Sequence, residues 1–190
     1  MLNPQKLQRS FLDYFEDPGP FKEPVDAAME WTRIYDAYAR DAVDASQDKV
    51  QVVNKPGFFA QLQFNASSGS PPSFASMLDK AFVAYWTGAV FAFGIPPTPA
   101  APCPSIGGNT IFSQELTSLV IAVAPGVLMA QLLPIFSSVT EQENARSQSQ
   151  KIANAFHTAT TTAVTVLIAG LDTTPPPGGP QPITNTCTIF

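Results

Sequence analysis

Charge is what most of this chain lacks. Residues 1–55 hold ten acids and seven bases, which leaves five acids and three bases for residues 56–190. Eight charges in that stretch is about 6 % of its positions, against roughly 25 % in an ordinary soluble domain. A free-standing domain keeps water on its surface largely with Lys, Glu, Asp and Arg. A long segment without them is covered by other chains, lies in a membrane, or is coated with uncharged polar groups. Ser, Thr, Asn and Gln are plentiful here, so the last reading accounts for part of it. Other absences exclude whole classes. A net charge of −5 gives no basic footprint for nucleic acid. The two cysteines, Cys103 and Cys187, could pair, but their spacing matches no zinc or redox pattern. The opening MLNPQKLQRSF lacks a basic region followed by an apolar core, so no signal peptide is expected. There is no internal repeat.

What is present reads as helix. In residues 5–17, Leu7, Phe11 and Phe15 recur four apart with Leu12 beside them, one apolar stripe. The run Asp17-Pro-Gly-Pro ends it. Residues 23–45 predict a second helix, with Pro24 in the first turn and Glu23 and Asp26 near the positive end of the dipole. Its stripe is Ala27, Trp31, Ile34, Tyr38 and Ala42, and Arg33, Asp36, Arg40 and Asp44 form its solvated face. Phe58, Phe59, Leu62 and Phe64 suggest a short helix, followed by a loop over 65–73. Residues 74–94 predict a helix apolar almost all round, which must be buried on all sides or in lipid. Five prolines in 95–108 predict an extended crossing. Residues 110–137 suggest a fourth helix, interrupted near Pro125-Gly126 and at Pro134. Thr140 and Glu143 resemble a capping box opening a fifth helix over about 141–170. From Asp172 onward, five prolines and two glycines forbid a helix or a central strand.

The expected fold is therefore all-α: a bundle of about five helices over residues 1–172, with a proline-rich crossover and an extended C-terminal arm over 173–190. The expected core is Phe11, Phe15, Trp31, Ile34, Phe82, Trp86, Phe91, Leu119, Leu128, Leu132, Phe156, Val164 and Leu167. The arm is not purely polar, and Ile183, Ile189 and Phe190 are the candidate partner-binding anchors, able to dock in a neighbour's groove or along a sheet edge.

No catalytic motif survives inspection. Residues 169–174 (AGLDTT) look like the oxygen-activating helix of haem-thiolate monooxygenases, and Glu143 with Arg146 matches that family's Glu-x-x-Arg pair. The order along the chain is reversed, the ligand loop is missing and the chain is under half the required size. His157 is the only histidine, so any triad would have to use it; flanked by small and apolar residues, it reads as a hydrogen-bonded helix histidine. One histidine and scattered carboxylates offer no metal shell. Gly107-Gly108 is too short for a phosphate cradle. Cys187-Thr-Ile-Phe190 fits a prenylation box without the usual polybasic companion, and Asn65-Ala-Ser67 is a glycosylation triplet without a secretion signal. The chain is expected not to be an enzyme and to need no cofactor and no metal.

Residues 81–99, 116–140 and 152–171 carry no charge, and two of these runs reach the length of a bilayer span. A small holin-like membrane protein is thus an alternative. Against it stand Pro125, Pro134, Asn154, His157 and several threonines inside the runs, few flanking Lys or Arg, and a mean hydropathy of only +0.07.

The runs AFVAYWTGAVFAFG (81–94), AFHTATTTAVTVLIAGLDTT (155–174) and the PPPGGPQPIT tail resemble small structural proteins of tailed-bacteriophage virions. The resemblance covers about half the chain. It implies a non-catalytic helical subunit of the tail, baseplate or neck, or alternatively a capsid decoration (cement) protein. It implies a homo-oligomer that contacts other virion structural proteins, with no nucleic acid, membrane or small-molecule substrate, assembled in the host cytoplasm.

Overall fold

The computed structural model describes residues 1–17, 23–44, 48–65, 70–92, 110–111, 118–138, 144–172 and 181–189. These form six helices and a six-stranded antiparallel sheet. Mainly helical is right; all-α is not, and five of the six strands come from segments whose sequence reads as helix or arm.

The first helices begin as the sequence indicates. In α1 (Pro4–Glu16) the Asn3 side chain accepts the N–H groups of Gln5 and Lys6, at 3.0 and 3.2 Å, and Pro4 takes the first turn, where no donor is needed. Its stripe buries Leu7 and Phe11, with Phe15 half-buried. Next comes α2 (Pro24–Ala39), which buries Trp31, Ile34, Tyr35 and Tyr38. The short helix α3 (Lys55–Asn65) buries Phe58 and Leu62. In α4 (Pro71–Trp86), capped by Ser70, Leu78, Phe82, Tyr85 and Trp86 are buried on several sides, which is why this segment is apolar nearly all round.

The predicted helix over 74–94 stops at Trp86. Gly88, at φ +74°, turns the chain into β2 (Val90–Ala92), which pairs with β1 (Lys49–Val52). A positive φ suits glycine because it has no Cβ to clash. The predicted helix over 110–137 divides in the same way. Thr110–Ile111 is β3, Ser118–Val123 is β4, and only Val127–Ser137 is helix (α5), entered through Gly126 at φ +84°. Pro134 sits inside α5 without ending it. The predicted helix over 141–170 is α6 (Ala145–Ala163), capped by Asn144, which then passes directly into β5 (Val164–Asp172). Thr140 and Glu143 lie outside the described residues. The switch at 163/164 has a local cause. Thr160, Thr161 and Thr162 each bond a hydroxyl back to a carbonyl of the preceding turn, at 2.7, 3.0 and 2.7 Å, which weakens a helix end. The β-branched run Val164-Thr165-Val166 then favours strand.

Gln181–Thr188 is β6, so most of the described part of the expected arm is a strand of the chain's own sheet. It pairs with β5 in eight consecutive positions, from Thr165↔Thr188 to Asp172↔Gln181. The sheet order is β1-β2-β4-β5; β3 and β4 share one edge of β5 and β6 takes the other. One apolar core joins the layers, with Val50, Phe91, Val120, Val166 and Ile189 from the sheet side packed under the helices. Of the expected core, Leu119 is the correction: it is 44 % exposed, because strand alternation turns Val120 inward and Leu119 out. The Leu167 side chain lies outside the description.

One buried carboxylate ties the halves together. Asp79 of α4 accepts the N–H groups of Gly126 and Met129, at 2.8 and 3.2 Å, and so caps α5 from another helix. Asp79→Ala would leave both donors without that partner. A loss of about 2 kcal/mol is expected, read by calorimetry as a Tm lower by about 6 °C; an unchanged Tm would show that Asp79 does not stabilise the start of α5.

Candidate functional site

Of the residues that the sequence offers for chemistry, His157 has an internal partner, while Cys103 and Glu143 lie outside the described residues. His157, on α6, shares a hydrogen bond of 2.6 Å between its Nδ1 and the Tyr38 hydroxyl of α2, and burial pushes its pKa below the usual imidazole value. Beside it runs a directed chain. The Trp86 indole N–H donates to Tyr35 Oη at 2.7 Å, and the Thr160 hydroxyl donates to the Phe156 carbonyl, also at 2.7 Å. Between them, Tyr35 and Thr160 lie 2.9 Å apart. An indole N–H only donates and a carbonyl only accepts, so Tyr35 must donate to Thr160. The four residues are buried and link α4, α2 and α6. Every proton has a place, which is the signature of a core specification network. Among the described residues no group of three or more His, Cys, Asp or Glu could hold a metal.

The outer face of the sheet is different. Val52, Val90 and Leu119 are register neighbours across β1, β2 and β4, and the row continues along the backbone to Leu167 and Thr186 of β5 and β6. Val52 is 56 % exposed and Ile121 50 %. A bulge between Val120 and Ala122 leaves Ile121 and Ala122 both facing out. The strands contain two charged residues, Lys49 and Asp172, one on β1 and one at the end of β5. The sheet thus gathers much of the uncharged sequence and carries apolar side chains on the face away from the helices. SLVIAV is a continuous apolar run with no polar alternation to show that Leu119 and Ile121 face outward; read as helix, it puts Leu119 in the core.

The three expected anchors fall in three places. Ile183 is on β6, opposite Gly170. Ile189 is fully buried in the chain's own core. Phe190 lies outside the described residues. The far edge of β6 has no strand beside it among the described residues, and Pro182, which lacks an N–H, is of the kind tolerated on such an edge.

The helical layer encloses an apolar cavity of about 460 Å³ that opens to solvent and takes lining residues from all six helices. Sealed and empty, a hole of that size would cost roughly 11 kcal/mol at about 24 cal/mol per Å³, comparable to the whole stability of a domain. No sequence pattern could reveal it, because its wall is assembled from residues as far apart as Tyr14 and Ile152.

Among the described residues, no helix is long and apolar enough to cross a membrane. No family model, curated protein or solved structure matches the chain.

Proposed function

We propose that this chain is a non-catalytic structural subunit that joins copies of itself and other structural proteins, as a tail, baseplate or neck component of a tailed-phage virion. The observation that carries the assembly reading is the exposed apolar sheet face at Val52, Leu119 and Ile121. Contiguous apolar surface of this kind marks interaction sites. Charge favours the same face: copies of a chain with net charge −5 repel one another, and repulsion is weakest where the charges are fewest. Sheets meeting face to face in this way pack about 10 Å apart with interdigitating side chains. The edge of β6 that has no neighbour among the described strands offers a second contact by strand addition. The virion assignment rests on the sequence resemblance.

The test is native mass by light scattering after size exclusion, without detergent. A defined oligomer is expected for the natural chain. The double variant Leu119→Lys, Ile121→Lys is expected to run as a monomer of 20.3 kDa that still melts cooperatively, since both side chains are exposed on the folded chain. A natural chain that is already a stable monomer would defeat the proposal. So would a variant that assembles as well as the parent.

A further inference from the structure

The 460 Å³ cavity plays no part in assembly through the sheet, which lies on the other layer. Its wall includes Phe15, Trp31, Phe74, Met77, Ile135 and Phe136, and no charged side chain lines it. Trp31 holds Phe74 edge-on at 5.7 Å, and Phe74 holds Phe136 at 5.0 Å, so the aromatic part of the wall is one connected unit. The lining's side-chain polar groups are the Gln148 amide, the Tyr14 phenol and the Trp31 indole N–H.

We infer that this cavity is a binding site for one neutral, largely apolar small molecule, with its bulk against the aromatic wall and a single polar group within reach of Gln148. Size sets the scale. An engineered apolar cavity of about 150 Å³ takes up benzene, and this one is about three times larger, room for about two or three fused rings or an alkyl chain of similar bulk. It also falls within the range of about 300–1,000 Å³ of ordinary ligand pockets. Charge sets the class. An ionised ligand would leave water for a wall that offers it no countercharge, so neutral ligands are selected. Water is a poor occupant too, because a held water needs two to four polar partners and this wall is almost wholly carbon. The ligand is bound, not transformed, since the lining pairs no hydroxyl with a histidine, carboxylate or lysine that would activate it.

The probe is N-phenyl-1-naphthylamine, a neutral aromatic dye, titrated into the full chain. Saturable binding at one site per chain is expected, with quenching of tryptophan emission through Trp31. 1-Decanol is expected to displace the dye, and decanoate at neutral pH is not. Ala27→Phe, which puts a ring into the cavity from its α2 wall, is expected to weaken dye binding at least tenfold; Ala27→Leu serves as the milder variant should the ring disturb folding, checked by circular dichroism. Absence of saturable binding would overturn the inference. So would equal displacement by decanoate, or binding that neither folded variant weakens. None of these outcomes bears on the assembly reading, which is tested at the sheet face.

Discussion

Removal of residues 181–190 is expected to abolish cooperative folding, not to free an arm from an otherwise intact domain. Eight register pairs join β6 to β5, and β5 is the strand on which β3, β4 and β6 all pair. Without β6, one whole edge of that strand is bared, and the chain after Asp172 loses its only described attachment. Ile189 adds a buried anchor at the end of the strand. Ile189→Ala is a graded version of the same experiment and is expected to cost about 2–4 kcal/mol, the usual range for truncating a buried isoleucine. The truncated chain should show no sharp thermal transition and should accumulate as aggregate, since a bared strand edge templates pairing with other chains. A truncated chain that melts like the parent would return the segment to the status of a tail.

Alkaline pH is expected to unfold the protein cooperatively, setting in about one unit above the ordinary tyrosine pKa. Three of the four tyrosines have phenols held well above the ordinary value of 10.0. For Tyr35 and Tyr38 the leading cause is burial, and for Tyr85 it is burial followed by the Asp36 carboxylate, whose Oδ1 accepts its hydroxyl at 2.9 Å. Below pH 10 these phenols are neutral in both the folded and unfolded chain, and their contribution to stability is fully retained. Above it the unfolded chain loses protons that the folded chain keeps, so stability falls with rising pH. Each phenol removes about 1.4 kcal/mol per pH unit. Three together remove roughly 4 kcal/mol per unit, which consumes a typical stability of about 5–15 kcal/mol within a few units. Phenolate absorbance after a pH jump should therefore have a component that rises with the loss of circular dichroism. Tyr35→Phe should make the fall with pH shallower, although the variant starts about 1–3 kcal/mol less stable because Trp86 and Thr160 lose their shared partner. Immediate ionisation of all four tyrosines with the fold intact would contradict the burial of this cluster.

The starts of the first two helices are legible in the sequence because they rest on local chemistry. Pro24 marks a first turn, and the stripe of Leu7, Phe11 and Phe15 has a polar opposite face that fixes its period, whereas the Ser70-Pro71 pair that opens α4 falls in a segment whose composition reads as loop. The strands were not legible for the converse reason. Segments 90–92, 118–123 and 164–172 lie in apolar runs without a polar face, and such runs fit a buried helix as well as a strand. The arbitrating signals were density of β-branched residues and the turn residues Gly88 and Gly126, and they were outweighed by run length. A proline-rich segment suggests an arm with Ile183, Ile189 and Phe190 as anchors; yet Pro182 fits an edge strand, and Ile189 closes the core. The exposed face at Leu119 and Ile121 needed the correct period to be seen at all, and the cavity needed the tertiary structure.

The passage from α6 into β5 has a mechanical consequence. From Ala145 to Asp172 the backbone runs through a 19-residue helix and a nine-residue strand with no loop between them. At about 1.5 Å per helical residue and about 3.3 Å per strand residue, that is roughly 60 Å of contour with no slack. A pull on the sheet reaches the helical layer at once, and lengthening the connection means breaking hydrogen bonds instead of straightening a loose segment. If load enters such a subunit through its sheet, the two layers bear it together, and the part that yields first lies outside this spine.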